Sequence, residues 1–263
     1  MNVTYDFSGK VALVTGAASG MGRVSALAFA AAGATVAVTD IDTTGGRSVA
    51  EEITDAGGNA RFFEVNVTDP DSVQAGVADL VSAFGGLDFA HNNAGAEGQH
   101  GKFLEQSREN FDKTVAVNYA SIFHCMQAEI PAMLERGGGS IVNTASAAGI
   151  IGGYGFAPYG GAKTGVIGLT KHVAQEMAEH NIRINSLAPG PINTPFIADF
   201  PKPVLDRLLT GTPIGRLGEP DEIAQAVLWL CSDGASYVIG TALTVDGGTV
   251  IGGMSTRADD LGH

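Results

Sequence analysis

Val11-Ala12-Leu13-Val14-Thr15-Gly16-Ala17-Ala18-Ser19-Gly20-Met21-Gly22 is an unbroken apolar run that passes through three glycines into the helix-forming composition of residues 23–32. An uninterrupted apolar run reads as a strand buried on both faces, and such strands belong to parallel sheets. Glycines between a strand and a helix permit a tight turn and a close backbone approach. The N–H groups at the helix start then form a ready site for the charge of a pyrophosphate. Eighteen residues beyond Gly22, the second apolar run ends in Asp40. A carboxylate there can accept both hydroxyls of an adenosine ribose. It would repel a 2′-phosphate by about 4 kcal/mol at about 4 Å and an effective dielectric of about 20. No Lys or Arg stands at Ala17, Ala18, Ser19 or Ile41 to compensate.

Outward from this unit, short apolar runs recur at 11–15, 35–39, 61–67, 87–91, 140–145, 182–187 and 242–245, separated by stretches long enough for crossover helices. Seven such strands predict a three-layer α/β sandwich, a seven-stranded parallel sheet with helices on both faces. No repeat, low-complexity tract or linker divides the 263 residues, so residues 1–263 read as one domain. Six prolines between 189 and 215 mark a long loop at a strand end, with a short helix around 204–209. The end, 249–263, reads as a polar tail or a segment that reaches a neighbouring subunit.

Composition removes several classes. Lys and Arg number 15 against 28 Asp and Glu, a formal charge of −13, with no basic block to bind a nucleic-acid backbone. No apolar stretch is long enough to span a membrane and residues 1–10 lack a leader pattern, so the expected location is the cytoplasm. Cys125 and Cys231, far apart, form neither a disulfide framework nor a zinc spacing. The six histidines show no metal-ligand pair, and no G-x-S-x-G elbow is present.

Tyr159 and Lys163 stand four apart and so share one helix face. A tyrosine must fall from a pKa near 10 toward about 7 to exchange protons at neutral pH, about 4 kcal/mol of differential stabilisation, and a neighbouring ammonium supplies much of it. Ser146 follows a buried strand thirteen residues upstream, and Asn118 lies in the preceding helical stretch.

With these pieces the chain resembles the short-chain dehydrogenase/reductase superfamily. The resemblance is carried in order by Thr15-Gly16-x-x-x-Gly20-x-Gly22, Asn92-Asn93-Ala94-Gly95, Asn118, Ser146, Tyr159-x-x-x-Lys163, Pro189-Gly190-x-x-x-Thr194 and Val245-Asp246-Gly247-Gly248. It implies a Rossmann-type domain in which Tyr159 is the general acid/base, Lys163 lowers its pKa and holds the nicotinamide ribose, and Ser146 binds the reacting oxygen. Asn118 would hold a water behind Lys163. Gly16, Ser19, Gly20, Met21 and Gly22 would bind the pyrophosphate, Asp40 and Ile41 the adenosine ribose, and Asn66 and Val67 the adenine. Asn93, Ala94 and Gly95 would pass beneath the cofactor, while Pro189, Gly190, Ile192 and Thr194 would meet the nicotinamide.

Three positions depart from the family pattern. Asn66 stands where an Asp is usual, with its carbonyl available to the adenine amino group. His91 replaces an apolar residue and reads as a structural histidine. Gly161 is unusual inside the Tyr159/Lys163 turn and points to close backbone packing. Apolar residues in 150–156, with Phe196, Ile197 and Phe200, would surround the substrate.

The expected function is hydride transfer between NAD, rather than NADP, and a secondary alcohol, diol or ketone of apolar or cyclic character. The alternatives are a 3-oxoacyl thioester reductase using NADPH and a non-catalytic dinucleotide sensor. Family members mostly form tetramers through two long helices, here 107–135 and 157–179. Phe111, Val115, Phe123, Val166, Leu169 and Val173 on them could face a partner or the core.

Overall fold

The computed structural model describes residues 3–198 and 202–252. Its sheet comprises β1 (Val11–Thr15), β2 (Thr35–Asp40), β3 (Asn59–Glu64), β4 (Phe89–Asn92), β5 (Gly139–Thr144), β6 (Ile182–Pro189) and β7 (Ala242–Val245). The order is β3-β2-β1-β4-β5-β6-β7, and every pairing is parallel.

Period-two alternation sends successive side chains to opposite faces, and both faces are covered. Val11 and Leu13 join the core beneath α3 (Pro70–Phe84), α5 (Ser121–Arg136) and α6 (Ala157–Met177). Ala12 and Val14 join the opposite core beneath α1 (Gly20–Ala31), α2 (Thr43–Asp55) and α9 (Pro220–Cys231). The remaining helices are α4 (Arg108–Val115), α7 (Pro195–Ala198) and α8 (Lys202–Thr210). Local chemistry sets the helix ends. Asp69 caps α3 by accepting from the Asp71 N–H, Pro70 opens it, and Gly85 at φ 81° closes it. Glu219 and Glu222 form a reciprocal capping box on α9.

From β1 the chain builds outward to β3, then returns to place β4 on the other side of β1. Crossovers therefore run in opposite directions from β1 and β4, which opens a crevice at their carboxyl ends.

Several boundaries differ from the sequence expectation. The third strand covers Asn59–Glu64 rather than 61–67, because β3 pairs only with β2 and ends where Asp40 meets Glu64. The fourth covers Phe89–Asn92 rather than 87–91, since pairing of Asn92 with Asn143 carries it one residue further. The expected helix 107–135 is interrupted by a π-turn at Ala116–Ala120. Asn118 explains the break: its Nδ2 donates to the Thr114 carbonyl at 2.9 Å, the group that its own N–H would bond in an α-helix. The helix expected at 204–209 is α8, preceded by the short α7. Residues 249–252 are not a loose tail, for Asp246 accepts the N–H of both Gly248 and Val250. The rest of the expected tail, and Phe200, lie outside the described residues. Gly161 makes no close packing within the chain: nothing lies within 4 Å of where a Cβ would stand.

Candidate active site

The crevice is a cavity of about 820 Å³ lined from the C-terminal ends of the strands. At one end lie Gly16, Ser19, Gly20 and Met21, where α1 begins. Gly16 sits at φ 63° with Ala94 Cα 2.9 Å from the position of an added Cβ, so the loop can hold no side chain there. A Cβ on Gly22 would overlap the Gly16 carbonyl and the Asn93 amide. Ser19 is the N-cap of α1 yet its side chain makes no capping bond. Its first-turn N–H groups suit an anion, and this glycine cradle fits a pyrophosphate.

Asp40 closes this end. Its Oδ2 accepts the Ala18 N–H and its Oδ1 the Asp42 N–H, both at 2.9 Å, so the carboxylate fixes the glycine loop as well as lining the cavity beside Ile41. Asn66 and Val67 line the same region. The Asn66 carbonyl accepts from both the N–H and the hydroxyl of Thr68, at 3.1 and 2.8 Å. The acceptor expected for an adenine is therefore already engaged, leaving the amide NH₂ of Asn66 as a donor.

In the middle, Thr15 Oγ1 accepts the N–H of Asn93 and of Ala94 at 3.0 and 3.1 Å, and Asn93 Nδ2 returns to the Thr15 and Gly16 carbonyls. These bonds stitch the glycine loop to the end of β4. Gly95 follows where Asn118 and Lys163 converge; an added Cβ would stand 2.8 Å from Asn118 Oδ1 and 3.4 Å from Lys163 Nζ. His91 is buried, with Nε2 3.0 Å from Thr144 Oγ1, and burial pushes its pKa down to about 3. It is a neutral residue of the sheet.

The other end collects Ser146, Tyr159 and Lys163. Ser146 follows β5, and its Oγ accepts the Ala148 N–H at 3.1 Å. Tyr159 and Lys163 project from the first turns of α6. The Lys163 ammonium is buried, donates to the Thr144 carbonyl at 2.8 Å and lies 5.7 Å from the Tyr159 ring centre. Burial lowers its pKa to about 8.

The Tyr159 ring keeps some exposure, but its hydroxyl is enclosed. Burial drives its pKa up to about 12, against a hydrogen bond with Ser146 that lowers it and the charge of Glu97, which raises it further. Desolvation of the phenol thus opposes the expected fall toward neutrality. Asn118 is buried and clamps Ala96 through both backbone atoms.

Pro189 and Gly190 end β6 over the cavity. A Cβ at Gly190 would come 2.7 Å from Asp246 Cα. Buried Ile192 and Ile197, with half-buried Thr194, continue the wall, joined by Ile151 and Phe156 from the 150–156 stretch. Sequence reasoning missed Glu97, Leu208 and Thr249, which also line the cavity. For Glu97 a signal existed: an acidic residue two positions past the Asn93-Ala94-Gly95 turn at a strand's carboxyl end. Among the described residues no group of three His, Cys, Asp or Glu could hold a metal, and no helix is long and apolar enough to cross a membrane.

A dinucleotide cradle, a switch-point crevice and a Ser/Tyr/Lys cluster together describe an α/β oxidoreductase, and the chain belongs to the short-chain dehydrogenase/reductase superfamily, whose members bind a nicotinamide dinucleotide. A family model described as enoyl-(acyl carrier protein) reductase matches residues 16–250. Cyclohexanol dehydrogenase of Acinetobacter sp. (strain SE19) is 46% identical over 241 residues, covering 92% of this chain and 95% of that one. A 2,5-dichloro-2,5-cyclohexadiene-1,4-diol dehydrogenase of Sphingobium indicum is 43% identical over 247 residues, covering 92% and 98%. The crystal structure of levodione reductase superposes with a TM-score of 0.90 at 34% identity, covering 93% of this chain and 99% of the other.

Proposed function

We propose that this enzyme transfers hydride between NAD and a secondary alcohol, diol or ketone, with a preference for apolar, cyclic substrates. The observation that carries the reading is the placement of Ser146, hydrogen-bonded Tyr159 and buried Lys163 at one end of a cavity whose other end is closed by Asp40. The bound dinucleotide supplies the hydride acceptor, and Gly16, Ser19, Gly20, Met21, Asp40 and Ile41 would hold its adenosine diphosphate half. In oxidation Tyr159 takes the proton of the substrate hydroxyl as hydride leaves the carbon that bears that hydroxyl. Ser146 donates to the reacting oxygen as its charge develops, in a site dry enough to make that donor effective. Lys163, held by the Thr144 carbonyl, keeps a positive charge behind the phenol and favours its ionised form. Asn118 and Gly95 shape the floor beside it. Asn93 and Ala94 would line the middle of the cofactor path, and Pro189, Gly190, Ile192 and Thr194 would cover its nicotinamide end.

The relatives that act on cyclohexanol and on a cyclohexadiene diol support cyclic substrates. The thioester reductase alternative draws on a 3-oxoacyl-(acyl-carrier-protein) reductase of Thermotoga maritima that is 40% identical over 243 residues, covering 92% of this chain and 98% of that one. Against it, Asp40 would face the 2′-phosphate of NADPH, and its hydrogen bonds to the Ala18 and Asp42 N–H groups bring no cation to offset that repulsion.

Two buried free cysteines suit a reducing compartment, and we place the protein in the cytoplasm. A homotetramer fits the outer faces of α4 to α6: Phe111 and Phe123 are 51% and 44% exposed, whereas Val166 is buried and Leu169 and Val173 pack on the core.

The test is NADH formation with a panel of cyclic and linear secondary alcohols, using wild type and Tyr159→Phe with NAD and NADP separately. Oxidation by wild type with NAD, and its loss by about 10²–10⁴-fold in the variant with NADH binding retained, is expected. Wild-type rates in Tyr159→Phe would sink the mechanism. NADH binding with no turnover of the alcohols, or of a 3-oxoacyl thioester with NADPH, would favour the sensor reading.

A further inference from the structure

One titratable side chain at the reacting end has no part in hydride transfer. Glu97 leaves the loop after β4 and lines the cavity with Ser146, Tyr159 and Phe156. Its side chain is only 16% exposed. Its Oε2 lies 2.7 Å from His100 Nε2, and the His100 ring packs on Phe156 at 4.2 Å between centres. Phe156 in turn meets the Tyr159 ring edge-on at 6.4 Å. Glu97, His100, Phe156 and Tyr159 thus form one continuous wall, with a carboxyl group set beside aromatic rings.

That carboxyl group does nothing to help oxidation, which needs the ionised phenol. Its charge faces Tyr159 and holds the phenolic proton on. Burial also makes the charge costly, raising the Glu97 pKa to about 7. An apolar residue would fill this wall without either penalty. What Glu97 adds is a hydrogen-bonding group aimed at the substrate's end of the cavity, with one oxygen braced by His100. Near neutrality such a group can accept from a hydroxyl or, when protonated, donate to a carbonyl.

We propose that Glu97, braced by His100, recognises a second oxygen of the substrate, a hydroxyl or carbonyl borne by the same apolar ring as the reacting carbinol. This rests on the alcohol oxidoreductase reading above and narrows it to ring diols, hydroxyketones and diones. Discrimination of this kind is steep, because a buried polar group left unpaired by a substrate lacking the second oxygen keeps its desolvation penalty.

The test compares kcat/KM for cyclohexanol and for isomers of cyclohexanediol with NAD in wild type, Glu97→Gln and Glu97→Leu. Wild type is expected to favour at least one diol isomer by about ten-fold or more. Glu97→Leu should bring that ratio to about one, chiefly through the KM for the diol, and Glu97→Gln should retain part of it because it still hydrogen-bonds. A wild-type ratio of about one for every isomer, or one unchanged in Glu97→Leu, overturns the proposal. If wild type oxidises neither alcohol, the oxidoreductase reading fails on its own, and calorimetric binding of cyclohexanediol to the NADH-loaded protein decides the subsite. About ten-fold tighter binding by wild type than by Glu97→Leu supports it; equal or absent binding overturns it.

Discussion

Asn118 holds Ala96 by both of its backbone groups, Oδ1 accepting the N–H at 3.2 Å and Nδ2 donating to the carbonyl at 2.6 Å. A third bond, from Nδ2 to the Thr114 carbonyl, opens the π-turn from which Asn118 reaches the loop. One buried amide thus fixes the path of residues 93–97 below the reacting groups. Asn118→Ala should strip these bonds, lowering stability by about 1–3 kcal/mol and kcat/KM by about ten-fold or more. Thermal unfolding and steady-state kinetics check this. A variant of wild-type stability and rate would show that the clamp is dispensable.

Asp40 has two tasks in the structure, since it lines the cavity and accepts the Ala18 N–H. Asp40→Ser should therefore act on both. NAD kcat/KM is expected to fall about ten- to hundred-fold with the loss of a charge-assisted bond of about 1.5–3 kcal/mol. NADP use should rise as the repulsion of its 2′-phosphate goes. Kinetics with each cofactor give the ratio, and an unchanged ratio would remove Asp40 from cofactor choice.

Much of this architecture is written locally. The run Val11–Thr15 shows a strand buried on both faces, and the glycines after it show a loop that admits a phosphate, because both depend on residues adjacent in sequence. Tyr159 and Lys163 are legible for the same reason, being one helical turn apart. Features set by distant partners are not. The break at Ala116–Ala120 depends on Asn118 meeting Ala96 across the fold, and the end of β3 depends on where β2 stops. Gly161 looked like a packing residue, but the space beside it is open. For Tyr159 the Lys163 pairing is visible in sequence, whereas the desolvation that raises the phenol's pKa exists only once the cavity is built.

Glu97 and Tyr159 also predict a pH effect. The phenol's pKa is raised to about 12, chiefly by burial and in smaller part by the Glu97 charge, against a lowering hydrogen bond with Ser146, and the Lys163 ammonium lies 5.7 Å from the ring centre. A negative charge facing a phenol stabilises its neutral form. In oxidation, which needs the ionised form, kcat/KM should rise with pH, and Glu97→Gln should move that rise to lower pH. A partly screened pair of about 1 kcal/mol corresponds to a displacement of up to about 0.7 pH units. A pH profile of cyclohexanol oxidation by both proteins checks this; a rise unmoved or moved upward in the variant contradicts it.

Glu129 supplies a stability test far from the cavity chemistry. Its side chain is fully buried on α5, where Oε2 accepts from Asn92 Nδ2 at 3.0 Å and Oε1 has no partner among the described residues. Burial raises its pKa from 4.5 to about 7, against the smaller opposing effect of the Asn92 bond. The folded protein therefore holds this proton more tightly than the unfolded chain does. Stability linked to Glu129 is full below about 4.5, falls as pH rises, and is lost above about 7. The loss amounts to about 3 kcal/mol at about 1.4 kcal/mol per pH unit. Glu129→Gln keeps an acceptor for Asn92 and cannot ionise, so it should be more stable than wild type at pH values above about 7, with the advantage shrinking toward about 5. Denaturant unfolding of both proteins at the two ends of this range measures the difference. An equal effect of the substitution at both would show that Glu129 does not ionise in the folded protein.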